Sequence, residues 1–87
     1  MQEDINICFL MGKITSEIEF KFFYNSKKHV SMVEFFMNTY KGNLQVLVRG
    51  YDEMADTVYK KFSINNSINL MGFIENNEII IEEILEK

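Results

Sequence analysis

Leu44-Gln45-Val46-Leu47-Val48-Arg49-Gly50, then Asp52-Glu53-Met54-Ala55-Asp56-Thr57-Val58-Tyr59-Lys60-Lys61-Phe62, then Ile68-Asn69-Leu70-Met71-Gly72-Phe73-Ile74: across these pieces the hydrophobic period changes from strand to helix and back. In the first piece Leu44, Val46 and Val48 alternate with Gln45, Leu47 and Arg49, and Asn43 extends the outer set. That is a strand with one covered face. In the second, Met54, Ala55, Val58 and Phe62 fall on one stripe of a helix over residues 52–62. Acids in its first turns (Asp52, Glu53, Asp56) and bases in its last (Lys60, Lys61) suit the helix dipole, and Asp52 is the expected N-cap. The third piece alternates Ile68, Leu70 and Gly72 against Asn69, Met71 and Phe73. One short helix cannot bury its stripe against another helix, so it plugs a barrel end or covers a sheet face.

Working outward, Val30–Tyr40 is a strand with Val33, Phe35 and Met37 inward and Met32, Glu34, Phe36, Asn38 and Tyr40 outward. Lys41-Gly42 is a tight hairpin turn leading to the strand from Leu44. Ile5–Ile14 is apolar at both parities, so either both faces are covered within the chain or one face meets a second copy. Gly12 sits where such a strand bends, and Phe20–Tyr24 continues it beyond residues 15–18. Asn25–Lys28 is a polar turn, Asn76-Asn77 a short hairpin turn, and Glu78–Leu85 the last strand. Three strands, one helix and two strands make an all-β chain with one short helix: order β-β-β-α-β-β, a five-stranded Greek-key barrel of the OB-fold type.

Residues 1–87 give one domain with one core, which eight Phe and four Tyr help to fill. Hydrophobic residues at 47% and charged ones at 25% place the chain with globular proteins rather than disordered ones. Thirteen acids against nine bases leave a net charge of −4, where most nucleic-acid-binding domains are basic. The acids gather at the ends and in the helix, however, and the bases fall mainly between Lys13 and Lys61, so a basic face can form. Cys8 is alone and sits in an apolar run, hence a buried, reduced thiol. The acidic start and the absence of an 18-residue apolar stretch predict a cytoplasmic chain with no membrane partner.

Chemistry beyond binding finds little material. His29 stands beside Lys27 and Lys28 with no nucleophile in a recognisable motif, one His and one Cys make a poor zinc set, and the glycines are isolated. No enzymatic activity, metal or cofactor is expected.

Three segments resemble the bacterial single-stranded DNA-binding protein family, its primosomal replication protein B branch included. Asn6-Ile7-Cys8-Phe9-Leu10-Met11-Gly12-Lys13-Ile14 is similar to the family's opening strand. Val46-Leu47-Val48-Arg49-Gly50-Tyr51 followed by Met54-Ala55-Asp56-Thr57-Val58 resembles its strand, glycine and helix. Asn66-Ser67-Ile68-Asn69-Leu70-Met71-Gly72-Phe73-Ile74 resembles the strand after the helix. The resemblance implies single-strand binding in the service of DNA replication, repair or recombination, with replication proteins as further partners. The family's long loops are short here, and its stacking tryptophans are absent. Tyr40 and Lys41 stand close to where one such Trp lies and Asn43 near another, while Arg49 holds a position that is often aromatic.

Single strands are held by rings that stack on bases and cations that follow phosphates. Phe36 and Tyr40 are the candidate stacking residues and Lys13, Lys21, Lys41 and Arg49 the candidate phosphate contacts, for single-stranded DNA or RNA. Each has a plainer role beside it: Phe36 in a small apolar cluster, the lysines as solvated surface, Arg49 as an ion-pair partner of Asp52 or Glu34. Two stacked bases at ~1–3 kcal/mol each leave one protomer with affinity on the order of micromolar or poorer. A homodimer or homotetramer through the first strand is therefore expected, since several protomers on one strand raise the effective concentration. The competing reading is an OB-fold protein–protein interaction module, whose six Met and acidic surface suit an adaptable protein contact.

Overall fold

The computed structural model describes residues 6–24 and 29–85, the side chain of His29 excepted. The elements are β1 (Cys8–Ile14), β2 (Glu19–Tyr24), β3 (His29–Thr39), β4 (Gln45–Tyr51), α1 (Glu53–Lys61), β5 (Ser67–Glu75) and β6 (Glu78–Ile84). The turn expected at Asn25–Lys28 and the strand start expected at Ile5 lie outside the described residues.

The sheet runs β1-β5-β6-β4-β3-β2, and β1 pairs again with β3, which closes it into a barrel. Neighbours are antiparallel except β4 and β6, which meet in parallel at Val48–Ile79 and Arg49–Ile80. β1 and β2 lie end to end along β3: Ile14 faces Met37 and Glu19 faces Glu34. Thr15 to Ile18 thus span only Phe35 and Phe36 of the partner strand, so the chain bulges there. The Thr15 N–H donates to the Phe36 carbonyl at 2.9 Å, and the Phe36 N–H donates to Ser16 Oγ at 2.8 Å. β1 and β2 are the two arms of the bent first strand, and the barrel is the five-stranded OB arrangement with one helix.

Gly12 is not the bend itself. It pairs with Thr39 on one side and Ile68 on the other, where β1 completes the ring. A Cβ there would stand 2.1 Å from the Asn38 carbonyl oxygen, so only glycine admits this approach. Gly72 does the same beside the Ile80 carbonyl, at a register shift between β5 and β6.

The core takes Ile14, Val33, Phe35, Met37, Val48, Ile68 and Leu70 from the strands and Ala55 and Val58 from α1. Met54 and Phe62 pack on its margin, so the helical stripe covers the barrel against β3, β4 and β6. Burying such side chains contributes ~1.5–3 kcal/mol each. No helix among the described residues is long and apolar enough to cross a membrane.

Several local expectations need correction. Leu44 is exposed and lies outside β4, because the turn is a longer loop from Tyr40 to Leu44 rather than Lys41-Gly42 alone. Thr39 closes that loop: its Oγ1 accepts from the Leu44 N–H at 3.0 Å and donates to the Lys41 carbonyl at 2.9 Å. Asp52 makes no side-chain cap; with φ at 54° its backbone turns into the helix, and its carbonyl accepts from the Asp56 N–H. Met32 has outward parity but is 3% exposed, flanked in the sheet by Lys21 and Tyr51. Cys8 is half-buried rather than buried, a free thiol packed against the core. The outer parity of β1 is not covered within the chain, since Ile7, Phe9 and Met11 are all more than half exposed. By contrast, Asn76-Asn77 forms the short β5–β6 turn as expected, both residues at positive φ (53° and 65°).

Candidate nucleic-acid interface

In a barrel of this order, the outer face of the second and third strands, between two loops, is where oligonucleotides bind. Here that is the outer face of β3 and β4. Glu34, Phe36 and Asn38 alternate outward along β3, and Tyr40 follows its last residue. Phe36 and Tyr40 are 41% and 57% exposed, and at ~3.3 Å per residue their Cα atoms are about 13 Å apart along the strand.

Tyr40 is fixed at both ends. Its N–H donates to the Met11 carbonyl at 2.9 Å, and its phenol hydrogen-bonds the Ser67 hydroxyl on β5. The ring therefore lies across β1, between Met11 and Lys13, with much of its surface in solvent. Lys13 pairs with Asn38 on β3 and Ser67 on β5, and it lines the same pocket as the ring. Lys13, Asn38, Tyr40 and Asn43 line a shallow pocket, and exposed Lys41 follows directly. Asn38 Nδ2 reaches Asn43 Oδ1 at 3.4 Å, which holds the loop over the end of β3.

The other half of this face is a charge network. Glu34 accepts Arg49 Nε and Nη2, both at 2.9 Å, and Lys21 Nζ at 3.1 Å. Arg49 Nη1 also meets Glu78 at 3.0 Å, and Lys21 lies 3.8 Å from Glu19. Burial pushes the Glu34 carboxyl upward, but hydrogen bonds and positive charge from Arg49 and Lys21 outweigh it and hold it below the usual carboxylate range. The same bond to Glu34 holds the Arg49 guanidinium above its ordinary value against the cost of burial.

The linkage has a definite sign. A depressed folded-state pKa stabilises fully above the unfolded value of about 4.3 and is lost as pH falls through the folded one. Glu34→Gln should therefore cost ~1–3 kcal/mol at neutral pH and less at an acid pH below the folded-state value. Urea unfolding at both pH values measures it; an equal cost at each would place the stabilisation outside this carboxylate.

The six candidate residues thus divide. Lys13, Tyr40 and Lys41 cluster at the β3–β4 loop end, Phe36 stands in the middle of β3 beside Leu47 and Ser16, and Lys21 and Arg49 belong to the Glu34 network. Sequence reasoning weighed Glu34 for Arg49 but missed Glu78 and Ser67. Glu78 comes beside Arg49 only through the parallel β4–β6 contact that closes the barrel, and Ser67 meets Tyr40 only across β1. Of the methionines described, Met11 alone is exposed, so the surface is not rich in Met. Among the described residues no group of three or more His, Cys, Asp or Glu could hold a metal ion.

No protein-family model matches the chain, and no curated protein matches it by sequence. Solved structures do match in shape. The single-stranded DNA-binding domain of a Synechococcus protein superposes with a TM-score of 0.82 at 13% identity, over 99% of this chain and 100% of that one. The chain shares the fold of single-stranded DNA-binding proteins. The wild-type single-stranded DNA-binding protein of Thermus aquaticus gives a TM-score of 0.79 at 14% identity, over 95% of this chain but 40% of that one. A replication protein A heterotrimer bound to single-stranded DNA gives 0.73 at 15% identity, with 22% of that chain covered. The OB fold is thus common to all three, whereas at such identities the side chains of the outer face are this chain's own.

Proposed function

We propose that this chain is a non-enzymatic, cytoplasmic, single-domain protein that binds single-stranded DNA along the outer face of β3, as an accessory to replication, repair or recombination. The observation that carries the reading is the outer stripe of β3: Phe36 and Tyr40 exposed on one line, Lys13 and Lys41 beside the second ring. Rings at this spacing serve bases that are not immediate neighbours, and cations beside them serve the phosphates. The structural neighbours, among them a heterotrimer bound to single-stranded DNA, support the same ligand.

The electrostatics set how strong that binding is. Lys21 and Arg49 already satisfy Glu34, Glu19 and Glu78, so only Lys13 and Lys41 of the four candidate cations remain for phosphates without breaking the network. Each phosphate contacted on a single strand contributes about −0.7 to the slope of log K against log salt. Two contacts predict roughly −1.4 per protomer and four predict roughly −2.8. Fluorescence anisotropy with labelled oligo-dT over a salt series should give the smaller slope, and Lys13→Ala and Lys41→Ala should each reduce it by about 0.7. Lys21→Ala should leave it unchanged; a slope near the larger value, reduced by Lys21→Ala, would show that the network opens for the ligand.

Affinity from so few contacts favours several protomers on one strand. The exposed outer parity of β1 (Ile7, Phe9, Met11) is the proposed contact for a homodimer or homotetramer. The neutralised charge network also favours the second reading, an interaction module for a protein partner. Absence of oligo-dT binding at low salt would decide for it.

A further inference from the structure

We infer that Asn69 is a specificity-determining residue, whose side-chain amide reads the edge of the base stacked on Tyr40 and selects adenine there. The inference rests on the single-strand binding proposed above and adds to it which base is preferred. β1 and β5 pair with Met11 opposite Asn69 and Lys13 opposite Ser67. Tyr40 is tied to both strands, through its N–H to the Met11 carbonyl and through its phenol to Ser67. Asn69 is the next residue after Ser67 on the same face of β5, about 7 Å further along the strand.

A groove of about 530 Å³ beside the ring is walled by Phe9, Met11, Leu44 and Leu85, and another of about 370 Å³ runs toward Phe62 and Ile84. Tyr40 and Asn69 line both. The larger has the size and apolar lining of a small-ligand site, in which a few polar groups set the specificity. Its hydroxyls are already engaged: Thr39 Oγ1 closes the loop to Leu44, and the Tyr40 phenol holds Ser67. The Asn69 carbonyl accepts from the Leu85 N–H at 2.8 Å, yet its side-chain amide has no hydrogen-bond partner among the described residues and is not buried.

The occupant is a base rather than an apolar peptide side chain. Lys41 lines the same groove and is in no ion pair among the described residues, so it can meet the phosphate of that nucleotide. An apolar partner would instead cover the amide and leave it unpaired. Among the major-groove edges of the four bases, only adenine sets a donor (N6) beside an acceptor (N7), which one amide meets with both of its groups. Thymine offers O4 alone. Ile7 lies outside both grooves, so that end of β1 stays available to a second copy.

Anisotropy competition with three oligo-dT strands of equal length tests this: one all thymine, one with a central dA, and one with a central 7-deaza-dA, which lacks N7. The parent should bind the dA strand at least about fivefold more tightly than the other two, the lower end for one bidentate amide–base pair. Asn69→Ala should bind all three alike, within about twofold of the parent's affinity for the all-thymine strand. Its circular dichroism should stay native, since the amide it loses bonds to nothing in the chain. No preference for dA in the parent, the same preference in Asn69→Ala, or 7-deaza-dA bound as tightly as dA overturns the inference and leaves strand binding intact. Equal loss of all three strands in a natively folded Asn69→Ala protein also overturns it, because the residue would then hold the strand without choosing the base. A parent that binds none of the three removes the proposed function itself, and this inference with it.

Discussion

Replacing Gly12 with alanine should destabilise the protein by about 3 kcal/mol or more, at or above the upper end of what an added methyl costs in a packed interior. The new Cβ would stand 2.1 Å from the Asn38 carbonyl oxygen and 2.8 Å from both its carbon and the Met37 Cε. The methionine tip can swing away, but the carbonyl belongs to β3 and cannot. Since Gly12 is also paired with Ile68, β1 cannot retreat from β3 without leaving β5. Relief therefore means opening the barrel where it closes. Urea unfolding followed by circular dichroism measures this, and for a domain of typical stability, ~5–15 kcal/mol, the loss is a large fraction of the whole. A Gly12→Ala protein within about 0.5 kcal/mol of the parent would mean that the β1–β3 contact is not required for the fold.

Tyr40→Ala should lower affinity for oligo-dT roughly 5- to 150-fold, the equivalent of one stacked base at ~1–3 kcal/mol. Stability should hardly change, because the ring is more than half exposed. Tyr40→Phe separates stacking from positioning. It keeps the ring and loses the hydroxyl that bonds Ser67, so affinity should stay within about threefold of the parent if the face of the ring carries the contact. Loss of binding in both variants would assign the effect to the hydroxyl. No loss in either would move the nucleic acid away from this end of β3.

Much of the fold is legible in the residues because it rests on local period. Val46 and Val48, Ile68 and Leu70, and the stripe of Met54, Ala55, Val58 and Phe62 all point inward at the spacing their element requires. Asn76-Asn77 announces its turn because few residues accept positive φ twice in succession. What was not legible depends on closure. Leu44 reads as an inward strand residue until Thr39 is seen to tie off the loop with its hydroxyl. Asp52 reads as a cap until its backbone, in an uncommon conformation, enters the helix without one. Of the candidate site, the outward parity of Phe36 and Tyr40 is local and was legible. The engagement of Arg49 and Lys21 required the β3–β4 and β2–β3 registers together, and Glu78 required the one parallel contact in the sheet.

The way β1 is paired has a consequence for how the chain comes to be folded as it is synthesised. β3–β4 and β5–β6 are each made of neighbours in sequence and can pair as soon as their second strand emerges from the ribosome. β1, with Phe9, Leu10 and Met11 among its residues, is made first, yet its main mate is Ser67–Gly72. Only its Gly12–Ile14 end pairs with β3, so the rest of its apolar surface must wait until α1 and β5 have been translated. During that interval this strand is the segment of the nascent chain most in need of a chaperone's cover.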